Sequence, residues 1–108
     1  MSKRIVVTGM GAVTPVGNTV DEFWSSLITG KSGIDTITLF DASEYPSRIA
    51  GEVKDINFAD HFEAKEINRT DRFILLAMIA ADEAIQDSGL DLGGHSTALE
   101  AGSRREGR

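Results

Sequence analysis

The stretch Arg4-Ile5-Val6-Val7-Thr8-Gly9-Met10-Gly11-Ala12-Val13-Thr14-Pro15 decides how the rest of the chain is read. Ile5, Val6 and Val7 are an unbroken β-branched run, the pattern of a strand buried on both faces of a parallel sheet. Gly9 and Gly11 follow and permit close backbone approach, while Pro15 fixes φ and removes a donor, so the segment after the strand reads as a shaped loop. Loops at the ends of buried strands commonly carry function. A dinucleotide fingerprint, however, needs a third glycine and a helix opening directly on the phosphates. Here Thr14 and Pro15 intervene, and helix signals begin only near Thr19. On the residues alone, a glycine-shaped turn serving packing is the favoured reading.

Outward from that loop, Thr19-Val20-Asp21-Glu22 has the spacing of a capping box, in which hydroxyl and carboxylate satisfy free amides at a helix start. Val20, Phe23, Trp24 and Leu27 fall on one face, and Gly30 suits the position just past the end, so a helix over 20–29 is expected to lay that face on a sheet. Gly30-Lys31-Ser32 invites a phosphate-loop reading, but that motif needs glycine where Ser25 stands, with the helix after it rather than before it. The tripeptide Lys31-Ser32-Gly33 therefore reads as a turn.

Ile34 to Leu39 reads as a short strand or extended loop. Arg48 to Val53 reads as a second extended piece, where Gly51 marks close approach or a bulge. Asn57 to Lys65 reads as a short helix or irregular segment. From Asp71 to Ser88 the pattern is strongly helical: Phe73, Leu76, Ala77, Ala80 and Ala84 form one face, which Ile74, Met78, Ala81 and Ile85 widen. Such a helix is expected to be buried on more than one side, with Ala77, Ala80, Ala81 and Ala84 admitting another backbone. Gly89-Leu90 reads as a Schellman stop. The polar, arginine-containing stretch 93–108 is expected to be a disordered tail.

Composition removes several classes of function. The 108 residues carry a net charge of -6, which argues against a nucleic-acid partner. They hold no cysteine, which excludes disulfides, thiolate metal ligands and a cysteine nucleophile among them. Lys3 and Arg4 before only three apolar residues do not make a signal peptide, and the longest apolar run is about half a membrane span, so a soluble, cytoplasmic chain with no membrane partner is the expectation. Asn68-Arg69-Thr70 matches a glycosylation acceptor formally, but not in that compartment.

The run from Val6 through Gly9-Met10-Gly11 to Asn18, followed by Gly30-Lys31-Ser32-Gly33-Ile34, resembles the opening of a β-ketoacyl-[acyl carrier protein] synthase of the type II class. The resemblance continues through Phe40-Asp41, Ala50-Gly51-Glu52-Val53-Lys54-Asp55 and Asp71-Arg72-Phe73, covers about residues 3 to 92, and stops after Gly93. It implies a thiolase-like layered α/β fold, of which residues 1–92 supply an incomplete N-terminal segment with a first core strand. It also implies an acyltransferase that elongates fatty acyl chains by decarboxylative condensation with malonyl-[acyl carrier protein], without a cofactor or metal.

In that family a cysteine takes the acyl chain and two histidines assist, all downstream of the matching part. No catalytic residue is therefore assigned here, and the chain alone is expected to be inactive. His61 and His95 read as solvent-facing residues. The implied partners are acyl carrier protein and, in the full-length family, a second copy. Residue-by-residue matching points to Lys65 and Arg69 as carrier-protein docking residues, although Asn68 stands where the family often has a base and Thr70 replaces a usual methionine. The alternative is that both side chains solvate a helix start. A rival for the whole chain is a non-catalytic interaction partner or chain-length-determining relative of a complete synthase. Because one buried strand and one apolar helix lack neighbours, residues 1–108 are not expected to form a stable monomer.

Overall fold

The computed structural model describes residues 2–91. Its elements in chain order are α1 (Val20–Thr29), β1 (Ile34–Thr36), β2 (Ile49–Gly51), a single 3-10 turn (Phe58–Asp60), α2 (Ala64–Arg69) and α3 (Arg72–Ser88). They divide into two compact units, one spanning Val13–Ile56 and the other joining the segment up to Ala12 to the chain from Asn57 onward.

Within the first unit, Thr14 and Gly17 exchange backbone hydrogen bonds at 2.8 and 3.3 Å, folding Pro15-Val16 into a tight turn. The buried Ser26 hydroxyl donates to the Val16 carbonyl at 2.6 Å and fastens α1 to that turn. At the start of α1 the Thr19 hydroxyl accepts the Glu22 amide, as the spacing predicts. The Glu22 carboxylate reaches one residue further back and accepts the Asn18 amide at 2.9 Å. At the other end Gly30 adopts φ 74°, and the amides of Gly30 and Lys31 donate to Leu27 and Ser26, a complete Schellman motif.

β1 and β2 pair antiparallel, with Ile34 opposite Gly51 and Thr36 opposite Ile49. Gly51 meets the ring of Pro15, whose Cγ would lie 3.1 Å from an added Cβ, so the expected close approach is real and comes from a side chain. The apolar face of α1 is less covered than its pattern predicts. Phe23 is half-buried, while Trp24 and Leu27 are exposed, because the three-residue strands of this unit offer little surface to lie on.

In the second unit, the expected first core strand is absent: Ile5, Val6 and Val7 carry no regular structure and make no backbone hydrogen bond among the described residues. A strand exists only with a neighbour to pair with, and the described residues supply none. Ile5 and Val7 are 92% and 81% exposed. The backbone is instead held at the glycines, on α3.

α3 itself is buried less than its composition predicts. Leu75, at 2% exposure, is its one buried residue, whereas Phe73 is exposed, as are Ala77 and Ala81. Its end uses Gly89 at φ 68°, but the Leu90 amide bonds to the Ser88 hydroxyl rather than to a helix carbonyl, and the Leu90 side chain stays exposed. Among the described residues the buried apolar side chains are Ala42, Phe62 and Leu75. No helix among them is long and apolar enough to cross a membrane. The tail expected over 93–108 lies outside the described residues.

Candidate functional site

The glycine segment is positioned by one face of α3. Ala80, Glu83, Ala84, Asp87 and Ser88 recur at helical spacing, and Gly9 and Gly11 lie directly against this row. A Cβ on Gly9 would strike the Ala84 carbonyl oxygen and one on Gly11 the Ala80 carbonyl oxygen. Ala80 and Ala84 thus admit a backbone as the sequence predicts, and the backbone admitted is the chain's own N-terminal segment.

Two carboxylates complete the seat. The Met10 amide donates to Asp87 Oδ2 at 3.0 Å and the Ala12 amide to Glu83 Oε1 at 2.9 Å. These are charge-assisted bonds that stand in for a missing strand ladder. They also decide between the two readings of the loop, because both amides are occupied by carboxylates whose charge repels a phosphate. Sequence reading passed over Glu83 and Asp87. The only available signal was their i, i+4 spacing beside the alanine row.

The two residues expected to dock a carrier protein fall together on α2. Lys65 and Arg69 are four residues apart, hence on one side of this short helix, and both are exposed. The Glu66 carboxylate, buried, accepts the Glu63 amide at 3.3 Å and steadies the start of α2. Arg72, at the first turn of α3, holds its guanidinium 5.4 Å from the centre of the Phe58 ring. His61 is exposed, and His95 lies outside the described residues. Among the described residues no group of histidine and carboxylate side chains is placed to hold a metal ion.

A third cluster, in the hairpin unit, also escaped the sequence reading. Glu52 is buried, and its carboxylate accepts the Thr38 amide at 3.0 Å, the Thr38 hydroxyl at 2.9 Å and the Leu39 amide at 3.1 Å. Burial pushes its pKa up, but the bonds from Leu39 and Thr38 together with the Lys54 charge outweigh burial and hold it below the usual carboxylate range. Asp41 is held low by the Ser43 amide. Asp35 is held low first by the Thr36 amide at 2.7 Å, then by Lys54 at 3.6 Å. These carboxylates order the loops that they cap.

A glycine segment seated on a long helix, an exposed basic pair on the preceding helix and few buried apolar side chains among the described residues mark a small, mixed helix-and-strand partial domain. The comparisons give that partial domain its family. A model of the β-ketoacyl synthase N-terminal domain matches residues 2–107, and the chain belongs to that family.

Similar curated proteins are the 3-oxoacyl-[acyl-carrier-protein] synthase 2 of Synechocystis sp., 48% identical over 82% of this chain and 21% of the relative. The proteins of the same name from Coxiella burnetii and Staphylococcus aureus (strain COL) are 47% and 46% identical, over 83% and 84% of this chain and 22% of each relative. Among solved structures, the ishigamide ketosynthase/chain length factor matches with a TM-score of 0.71 and 31% identity, over 80% of this chain and 21% of that chain. The chain spans about a fifth of the length of the relatives it matches.

Proposed function

We propose that the chain is the N-terminal portion of a β-ketoacyl-[acyl carrier protein] synthase of thiolase-like fold, an acyltransferase acting in fatty acid biosynthesis by decarboxylative condensation with malonyl-[acyl carrier protein]. The observation that carries this reading is the family match over residues 2–107, joined to 46–48% identity with three synthases. The 108 residues contain no cysteine to hold an acyl group, so their part is to frame and to dock rather than to condense. Lys65 and Arg69 are the docking residues for the acidic carrier protein, supported by their shared exposed side in a chain of net charge -6.

The test is a chimera in which residues 1–92 replace the matching segment of the Synechocystis synthase. It is expected to form ketoacyl product from acyl- and malonyl-carrier protein, and a folded but inactive chimera would count against the reading. Within an active chimera, Lys65→Glu with Arg69→Glu is expected to raise KM for carrier-bound substrate by about three- to tenfold, to weaken its salt dependence and to leave kcat unchanged. Unaltered kinetics would assign both side chains to solvation of α2.

A second reading is supported by the name of the structural neighbour, which couples a ketosynthase to a chain length factor. On that reading the chain belongs to a non-catalytic partner that sets product length. Coding DNA beyond codon 92, read in all frames, separates the two: a frame encoding the cysteine and two histidines of the condensing enzymes supports the first, and their replacement supports the second.

A further inference from the structure

We propose that Arg72 is a positioning residue for carrier-protein docking: stacked on Phe58, it fixes the direction in which α2 presents Lys65 and Arg69. The inference rests on the docking reading above and adds the contact that shapes the docking side.

α2 is six residues long, too short to hold a direction by its own hydrogen bonds. Its placement is therefore set at its two ends. At the first, the 3-10 turn leads into it: the Phe62 amide donates to the Phe58 carbonyl at 2.9 Å, Phe62 is buried, and the Glu63 carbonyl accepts the Glu66 and Ile67 amides. At the second, Thr70 alone separates α2 from Asp71, whose carbonyl accepts the Ile74 and Leu75 amides of α3. Between these ends Glu66 is buried while Lys65 and Arg69 are exposed, so α2 is held with one side in and the basic side out.

Arg72 and Phe58 join the two ends. The guanidinium lies 5.4 Å from the ring centre and both side chains are half-buried, so the contact ties the start of α3 to the turn before α2, across the segment that carries both cations. A planar guanidinium suits this stacked position better than a compact ammonium does. Cations whose direction is fixed in advance cost less to order when an acidic partner arrives, and that saving appears as affinity.

The experiment uses the active synthase chimera with two acyl substrates, one on acyl carrier protein and one on free pantetheine, which lacks the carrier surface. Arg72→Gln and Phe58→Leu are each expected to raise KM for the carrier-bound substrate by about two- to fivefold, with kcat and the KM for the pantetheine thioester unchanged. Their combination is expected to do no more than either alone, and Phe58→Tyr, which keeps a ring, is expected to retain the parent KM. The affinity of the chimera for acyl carrier protein, read by fluorescence anisotropy without turnover, is expected to fall by the same factor.

A rise with Arg72→Gln but not with Phe58→Leu would mean that Arg72 meets the carrier itself, and would overturn the positioning role. So would a lowered Tm with both substrates affected alike, the mark of a general folding contact. Lys65→Glu with Arg69→Glu separates this inference from the reading beneath it. If that pair raises KM while the Arg72 and Phe58 variants do not, the positioning role fails and the docking reading stands; if the pair has no effect, both fall.

Discussion

The hairpin unit and the glycine–helix unit are held together in different ways. In residues 13–56 the decisive bonds are polar and mostly short in sequence: Ser26 to Val16, Glu22 to Asn18, Glu52 to Thr38 and Leu39. In the other unit they join residues 71 and 77 positions apart, Ala12 to Glu83 and Met10 to Asp87. Among the described residues neither unit buries more than a few apolar side chains, Ala42 in one and Phe62 and Leu75 in the other. Polar bonds can order a short piece locally, but apolar burial needs layers that come from elsewhere.

The strongest way to break this contrast is to ask whether the chain stands alone. Ordering a residue costs on the order of 1.5 kcal/mol, and burial returns only about 25 cal/mol per Å², so the three apolar side chains buried among the described residues do not offset it. Residues 1–108 by themselves are expected to melt without cooperativity, to bind an apolar dye and to self-associate in size-exclusion chromatography. A monodisperse monomer with a cooperative melt would show that both units close without help.

The next largest effect is expected at the seat of the glycine segment. Gly11→Val in the synthase chimera drives a branched side chain into the Ala80 carbonyl and should destabilise the chimera by about 3 kcal/mol, visible as a lower Tm. A melt indistinguishable from the parent would mean that the segment does not need its close approach.

A smaller effect separates the units by pH. Glu52, Asp41 and Asp35, all in the hairpin unit, have folded pKa values below their ordinary ones. Their contribution is therefore fully present above the ordinary carboxylate range and is lost as pH falls through the lowered values, below about pH 4. Chimera stability should decline across that window, and Glu52→Gln should flatten the decline. An unchanged slope would remove Glu52 from the account. Ser26→Ala, which deletes the bond to Val16, is expected to cost about 1 kcal/mol, and a double-mutant cycle with Gly11→Val should be additive if the two units are held independently.

The same contrast explains what the sequence revealed. Thr19, Glu22, Gly30 and Gly89 were legible because a cap is decided within a few residues. The antiparallel pieces near Ile34 and Gly51 were legible as extended segments, whereas Lys65 and Arg69 were singled out by the resemblance alone, and the helix that sets them on one side emerged only in the structure. Leu75 was passed over because the alanine row of α3 looked like the core face, while burial depends on which distant segments return to the helix. Glu83 and Asp87 were passed over for the same reason. Ile5 to Val7 was read as a strand from its β-branched run, but a strand is a pair, and the described residues offer it no partner.

The grip of Glu83 and Asp87 on the glycine segment also sets an order of events during synthesis. Met10 and Ala12 leave the ribosome more than 70 residues before the carboxylates that will hold them. At about 5 to 20 residues per second, that interval lasts roughly 4 to 14 seconds. Throughout it the run Ile5-Val6-Val7 has neither α3 behind it nor a strand beside it, the interval in which an exposed β-branched segment is most prone to wrong partners.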